Sequence, residues 1–285
     1  MVILDILIHG VGWASIYAVI AIGFSLIFSA SRIINLAQGE FVMLGGLFGF
    51  TLYSLKIPLF FIPPLSGLLV AIVGITMDKL ALSPASGASP TSLIIITIAI
   101  SIILKSIAAL VWGPTSFRIP GFFENRTFMI STGIIINPQY LFIMVICAAS
   151  ILSLTLFLKK TKLGRSLRAC SMDPVGARIV GISPEKMRTL SFATGGALAG
   201  LIGALIAPIF YASSECGLNL GLKGFCAAVL GGMGSMPGAI AGGFIIGLAE
   251  AMGASVASSY KDVIAPVLMI VVLYFRPEGI VGGRS

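Results

Sequence analysis

The chain has 285 residues, 58% of them apolar, and carries 18 Lys and Arg against 10 Asp and Glu, a net charge of +8. Ordinary soluble domains hold about 25% charged residues, so a soluble globule is excluded; at roughly 20 apolar residues per helical crossing, the composition supplies about eight crossings of a membrane. A basic excess of this size would point to nucleic acid in a soluble protein, but here its placement along the chain matters more than its sum.

The first apolar run, Ile3 to Phe28, ends in a polar patch from Ser29 to Glu40. No basic residue precedes Arg32, so the opening run lacks the basic start of a cleaved signal peptide and is expected to stay as a helix. A second crossing runs from Phe41 to about Ser54, short unless it begins inside the polar patch, and a third from Pro58 to Thr76, before Asp78 and Lys79. Ser83 to Pro90 reads as a flexible connection. Thr91 to Trp112 is a fourth crossing. A mixed loop with Pro114, Arg118, Glu124 and Arg126 leads to a fifth, Gln139 to Leu158.

Between Lys159 and Arg188 lie eight of the 18 basic residues, opposed only by Asp173 and Glu185. The positive-inside bias makes this loop cytoplasmic. Within it Asp173 suits a helix cap, Pro174 a first helical position and Gly181 a helix end, giving about two turns of helix. Ser183 and Pro184 open the next helix in the same way. A helix so short is marginal in water, so it packs on its own membrane body or on a partner; an ordinary topogenic loop is the other reading.

A sixth crossing, Leu190 to Tyr211, is rich in small residues, with Gly196 and Gly200 at the four-residue spacing of close helix contacts. The next apolar stretch, Phe225 to Val256, exceeds one crossing and is broken at Gly231, Gly232, Gly234 and Pro237. It reads as a half-helix, a turn and a full helix. Because irregular backbone survives at membrane depth only under protein or water, the break is a cavity-lining candidate. A short run, Val263 to Phe275, precedes Arg276. With five crossings before the basic loop the N-terminus lies outside. The far end is open: eight crossings put the C-terminus outside, and nine put it with Arg276 and Arg284 in the cytoplasm. The fold expected is an all-α polytopic bundle of eight or nine crossings, a single transmembrane domain over residues 1–285, with 159–188 as a cytoplasmic loop within it.

Polar groups at membrane depth usually face a cavity or one another. Asn35, Gln38 and Glu40 cluster between the first two crossings, Lys105 lies late in the fourth, and Glu250 sits deep in the helix that starts near Gly238. The cluster could be a polar helix junction, Lys105 could snorkel to an interface, and Glu250 could hold the bundle by a hydrogen bond or line a path. Cys147, Cys170, Cys216 and Cys226 form no CxxC pair and His9 is the sole histidine, so no metal site is expected. No phosphate-binding loop, HExxH or GxSxG occurs. The chain is therefore expected to have no catalytic residues and to hydrolyse no ATP itself.

The run Ile34-Asn35-Leu36-Ala37-Gln38-Gly39-Glu40 with Met43-Leu44-Gly45-Gly46 resembles the signature that follows the first crossing in H-type permease subunits of branched-chain amino acid ABC transporters. Gly164-Arg165-Ser166-Leu167-Arg168-Ala169, with Asp173, Ala177-Arg178 and Gly181-Ile182, is similar to that family's cytoplasmic loop. Val229 to Ala239 with Gly247 and Glu250 resembles its late glycine-rich segment, and Arg276-Pro277-Glu278-Gly279 its closing motif. Gln38 departs from the family's frequent His there, which removes a pH-sensitive role from the position.

The resemblance implies a multi-pass subunit of the cytoplasmic (inner) membrane that moves branched-chain or related amino acids. It would work with a second related permease subunit, two cytoplasmic ATPase subunits that use ATP and Mg, and an extracytoplasmic substrate-binding protein. No cofactor is expected on this chain, and its surroundings would be membrane lipid, with no nucleic acid partner. Asn35, Gln38, Glu40, Gly231, Gly232 and Glu250 are candidates for the substrate pathway. Arg165, Arg168, Asp173, Pro174, Ala177, Arg178 and Gly181 are candidates for ATPase coupling. The alternative is a secondary transporter or channel for a small polar solute. That reading needs ion-coupling carboxylates in the spans and usually an internal repeat; only Glu250 lies deep, and no clear repeat is seen. A structural assembly subunit that docks through its basic loop is a third class.

Overall fold

The computed structural model of the protein describes residues 2–123, 128–131, 134–136, 138–256 and 261–281. The loop charges Glu124 and Arg126 and the terminal Arg284 lie outside the described residues. The helices are α1 (Val2–Ser31), α2 (Gln38–Ser54), α3 (Ile62–Met77), α4 (Pro90–Trp112), α5 (Pro138–Lys160), α6 (Lys162–Met172), α7 (Pro174–Ile179), α8 (Pro184–Phe210), α9 (Cys216–Gly231), α10 (Met236–Val256) and α11 (Lys261–Phe275). A short 3₁₀ turn, Leu59–Phe61, leads into α3, and a π-helical turn, Asp78–Leu82, continues it. Beside this helical bundle, β1 (Phe128–Ser131) and β2 (Ile134–Ile136) pair antiparallel in the loop before α5.

Six stretches among the described residues are long and apolar enough to cross a membrane: α1 from His9, α3 with its flanking turns, α4, α5, α8 and α10 as far as Ser255. α2, α9 and α11 are shorter, at 17, 16 and 15 residues, and thread the same bundle. α1 is apolar on every face and sits at the centre, with Ile16, Tyr17, Ile20, Ile22, Leu26 and Ile27 fully buried. It packs most extensively on α10, as α3 and α2 do on α8. α4 is the reverse, leaving Ile95, Ile102 and Leu110 on the outer surface.

Association inside a membrane depends on close packing rather than on hydrophobic transfer, and glycine sets the closest approach here. A methyl group at Gly196 would lie 2.8 Å from the Val70 carbonyl oxygen, and one at Gly200 2.8 Å from that of Ser66. The pair noted in the sequence thus forms one face against α3. On its other side α8 meets α2, where Gly45 lies directly against the Gly200 backbone.

The basic loop marks one end of the bundle, the end expected from its charge to be cytoplasmic, and contacts show which other segments share that end. Arg32, in the left-handed conformation at φ 57°, ends α1 and donates to the Ser171 carbonyl oxygen at 3.4 Å. The α9–α10 turn packs on Phe28 and Ser29 at that same end. The backbone amides of Ile280 and Val281 then donate to Leu230 and Gly231 at 2.9 and 3.1 Å. The last described residues therefore lie at the same end of the bundle as the basic loop, and α8, α9, α10 and α11 make an even number of passes after Arg188. With α2, α9 and α11 each counted as a pass beside the six long spans, the described residues make nine, within the range of eight or nine expected from the sequence. The break falls at Gly231–Pro237 as expected, but its first arm begins at Cys216 instead of Phe225. α9, at 16 residues, and α2, at 17, both begin inside the bundle at a similar depth, where Gly217 packs on Gly39 and Glu40.

Candidate functional site

Chain between α1 and α2 turns back into the bundle instead of continuing outward. Residues 33–35 are non-helical, and such backbone at membrane depth needs internal partners. Asn35 Oδ1 accepts from the Ala37 amide at 3.1 Å, and Gln38 Nε2 donates to the Gly195 carbonyl oxygen at 3.1 Å. Gly195 is eleven residues into α8, about 16 Å from its cytoplasmic end. From α4, Thr97 Oγ1 accepts from the Leu36 amide at 3.2 Å, and its one proton is shared between the Ile94 carbonyl oxygen at 2.8 Å and that of Ile34 at 3.3 Å. Asn35 and Gln38 are fully buried and spent on this elbow.

Glu40 follows on the first turn of α2. It is buried, and its Oε1 accepts from Ser101 Oγ at 3.2 Å, while Oε2 has no hydrogen-bond partner. The carboxylate borders a cavity of about 170 Å³ walled by α1, α2, α4 and α9. Outward along α4, Lys105 Nζ meets Glu215 Oε2 at 2.6 Å.

Across α9 lies a larger cavity, about 450 Å³, bordered by Trp13, Tyr17, Phe210, Asn219, Lys223 and Glu250 among others. Lys223 is paired with Glu250 and, at 2.7 Å, with Asp262 at the start of α11; Tyr17 Oη donates to Glu250 Oε2 at 2.6 Å. Glu250 thus both joins helices and lines a cavity. Gly231 and Gly232 lie elsewhere, at the cytoplasmic turn. Gly231 packs on Gly238, and Gly232, at φ 101°, meets Gly279 of the C-terminal segment. The six pathway candidates are therefore distributed over an elbow, two cavities and a turn.

On the cytoplasmic face, Thr161 caps α6 by accepting from the Gly164 amide at 3.0 Å, and Gly164, Leu167 and Cys170 form its buried stripe. Arg165 and Arg168 stay on the exposed side. Burial, with Glu185 nearby, raises the Cys170 thiol above its usual pKa, and the thiol stays protonated at neutral pH. Asp173 caps α7 through the Val175 amide at 2.9 Å, with Pro174 in the first turn. Ala177 is buried against the body, while Met172, Val175, Ile179 and Val180 are 70–85% exposed. Gly181, at φ 83°, turns the chain toward α8, whose first turn carries Glu185 in an ion pair with Arg178. Beneath, Arg188 Nε meets the fully buried Asp78 Oδ1 at 2.6 Å, and Thr189 Oγ1 donates to Asp78 Oδ2. This joins the base of α8 to the π-helical turn after α3.

Residues 6–273 match the model of the family described as branched-chain amino acid transport system / permease component. The chain belongs to that family. It is 34% identical over 290 residues to the high-affinity branched-chain amino acid transport system permease protein BraD of Pseudomonas aeruginosa, covering 97% of this chain and 94% of the relative. It is 32% identical to the permease protein LivH of Escherichia coli K12, covering 96% and 94%. The fold is shared with PsaBC from Streptococcus pneumoniae in complex with Fab, at a TM-score of 0.53 and 15% identity over 96% of this chain and 92% of that one. This permease is accordingly a transport subunit of the ABC importer class, multi-pass in the inner membrane, and not itself an enzyme. Its class works with ATPase and binding-protein partners.

Sequence reasoning missed three parts of the permease. Lys223 lies just before the apolar stretch recognised from Phe225, although a lone charge in the glycine-rich, largely apolar run from Gly217 to Gly232 is itself a signal of a buried partner. Asp78 was read as a boundary, and its partner Arg188 lies 110 residues away. Tyr17 and Ser101 gave no sequence signal.

Proposed function

We propose that the permease carries branched-chain amino acids into the cell, sharing its path with a second related permease subunit and driven by two cytoplasmic ATPase subunits that hold the ATP and Mg. A binding protein outside the membrane delivers the substrate, and Arg165, Arg168, Asp173, Pro174, Ala177, Arg178 and Gly181 form the coupling segment. The carrying observation is α7: a six-residue helix, capped by Asp173, seated on the body through Ala177, and projecting exposed Val175 and Ile179 away from it. Apolar side chains projected from a basic cytoplasmic loop suit the groove of a docked protein. Arg188 and Asp78 connect the same loop to α8 and α3, so a push on α7 reaches crossings that border α2. Substrate passage then uses Glu40, Glu250 and the neighbouring elbow at Asn35 and Gln38, with Gly231 and Gly232 at the cytoplasmic turn. Aliphatic walls with few polar groups fit a branched side chain.

The test is uptake of leucine by the assembled importer in proteoliposomes. Uptake should need internal ATP and survive an ionophore; uptake without ATP that collapses with the ionophore would establish the ion-coupled alternative, for which the Lys223–Glu250–Asp262 cluster would supply the charges. Gly181→Trp should leave the permease inserted and detach the ATPase. Arg178→Glu should do the same by setting two carboxylates together, and adding Glu185→Arg should restore recovery of the ATPase.

A further inference from the structure

We propose that Glu40 is the ammonium-binding group of an amino acid site between α1, α2, α4 and α9, with Lys105 placed to take the substrate's carboxylate. This rests on the reading of the protein as an amino acid permease. Glu40 is 3% exposed, one carboxylate oxygen is held by Ser101, and the other has no donor and borders the cavity of about 170 Å³. A buried carboxylate oxygen without a donor is costly, so a proton or a cation completes it. Gly217 keeps the place open, since a methyl group there would collide with this oxygen. The remaining walls are apolar: Phe24, Leu36, Ile98, Leu218, Leu222 and Phe225. A small cation with an aliphatic body matches that lining, and a hydrated metal ion does not.

The second charge of a zwitterion lies within a few ångströms of its ammonium and needs a partner there. Ser101 and Lys105 are four residues apart on one face of α4, so Lys105 stands one turn, about 5.4 Å, outward of the group that holds Glu40. Its present partner Glu215 is 73% exposed and Lys105 itself 37% exposed. Among the described residues Lys105 has one carboxylate contact, and its partner is not enclosed, which leaves the ammonium accessible to a substrate carboxylate. The Lys223 cavity offers no such opening, because Lys223, Glu250 and Asp262 already satisfy one another.

The assembled importer in proteoliposomes tests the site with three probes: leucine, 4-methylpentanoate without the ammonium, and 3-methylbutylamine without the carboxylate. Glu40→Gln should lower ATP-driven leucine uptake about tenfold or more. Lys105→Met should raise the half-saturating leucine concentration several-fold. In the wild-type permease, dicyclohexylcarbodiimide should label Glu40, read by mass spectrometry. Leucine and 3-methylbutylamine should block that label and 4-methylpentanoate should not. The labelling needs no variant, so it decides the matter if Glu40→Gln fails to assemble. Glu40 that is never labelled, labelling that leucine leaves unchanged, or full uptake by Glu40→Gln would each overturn the site while leaving leucine transport standing. A wild-type importer that takes up no leucine with ATP would instead overturn the transport reading, and the site with it.

Discussion

Two buried ion pairs hold the bundle, and they differ in how each is completed. Asp78 is fully buried and takes a hydrogen bond from Thr189 as well as the Arg188 contact, while Arg188 itself borders a cavity of about 340 Å³. Lys223 and Glu250 border a cavity of about 450 Å³, and Lys223 also pairs with Asp262, which is half exposed. The first pair acts as a joint between the start of α8 and the end of α3. The second is a three-member cluster with one member open to its surroundings. A charge pair is understood from what else completes it, and not from its burial alone.

Removing one partner of the Asp78–Arg188 pair should have the largest effect. Asp78→Ala leaves Arg188 buried without its counter-charge, with an expected loss of about 3–5 kcal/mol, seen as loss of monodisperse permease after mild heating in detergent. Asp78→Leu with Arg188→Met should recover most of it, because the uncompensated charge has gone. Next, Gly200→Leu should force α3 away from α8 and cost about 1–3 kcal/mol, read by the same heating assay. If it costs nothing, the joint does not depend on that helix contact. Lys223→Met should cost less than Asp78→Ala, about 1–3 kcal/mol, because water in the cavity can solvate Glu250 and Asp262; an equal cost would remove the distinction between the pairs. Val175→Ser with Ile179→Ser, both on exposed positions, should change stability by no more than about 0.5 kcal/mol while reducing recovery of the ATPase in pull-down. Last, Cys170 should resist maleimide at pH 7, since its raised thiol pKa and burial remove both thiolate and access.

Much of the architecture was legible in the sequence because the signals were local. Apolar runs marked the long crossings, and Asp173, Pro174, Gly181, Ser183 and Pro184 marked α7 and the start of α8, while α6 in the same loop went unread. Helix starts hidden in polar or glycine-rich sequence were not legible. Gln38 begins α2 inside a polar patch only because Gly195 accepts its side chain, and Cys216 begins α9 nine residues before the hydrophobic run that was recognised. The cavities were equally out of reach. Glu40, Ser101 and Gly217 meet across three helices, and no spacing along one chain foretells which oxygen of a carboxylate is left without a donor.

The elbow at Asn35 and Gln38 also governs the order in which the newly made chain can settle. Its acceptor at Gly195 emerges 157 residues after Gln38, and Thr97, which covers the elbow from α4, emerges more than 60 residues after Ile34. Until both have left the ribosome, the nascent N-terminal hairpin carries unmatched amides that hydrocarbon will not accept. The insertion machinery must therefore retain or chaperone that hairpin, and polypeptides released before α8 should be substrates for membrane proteolysis.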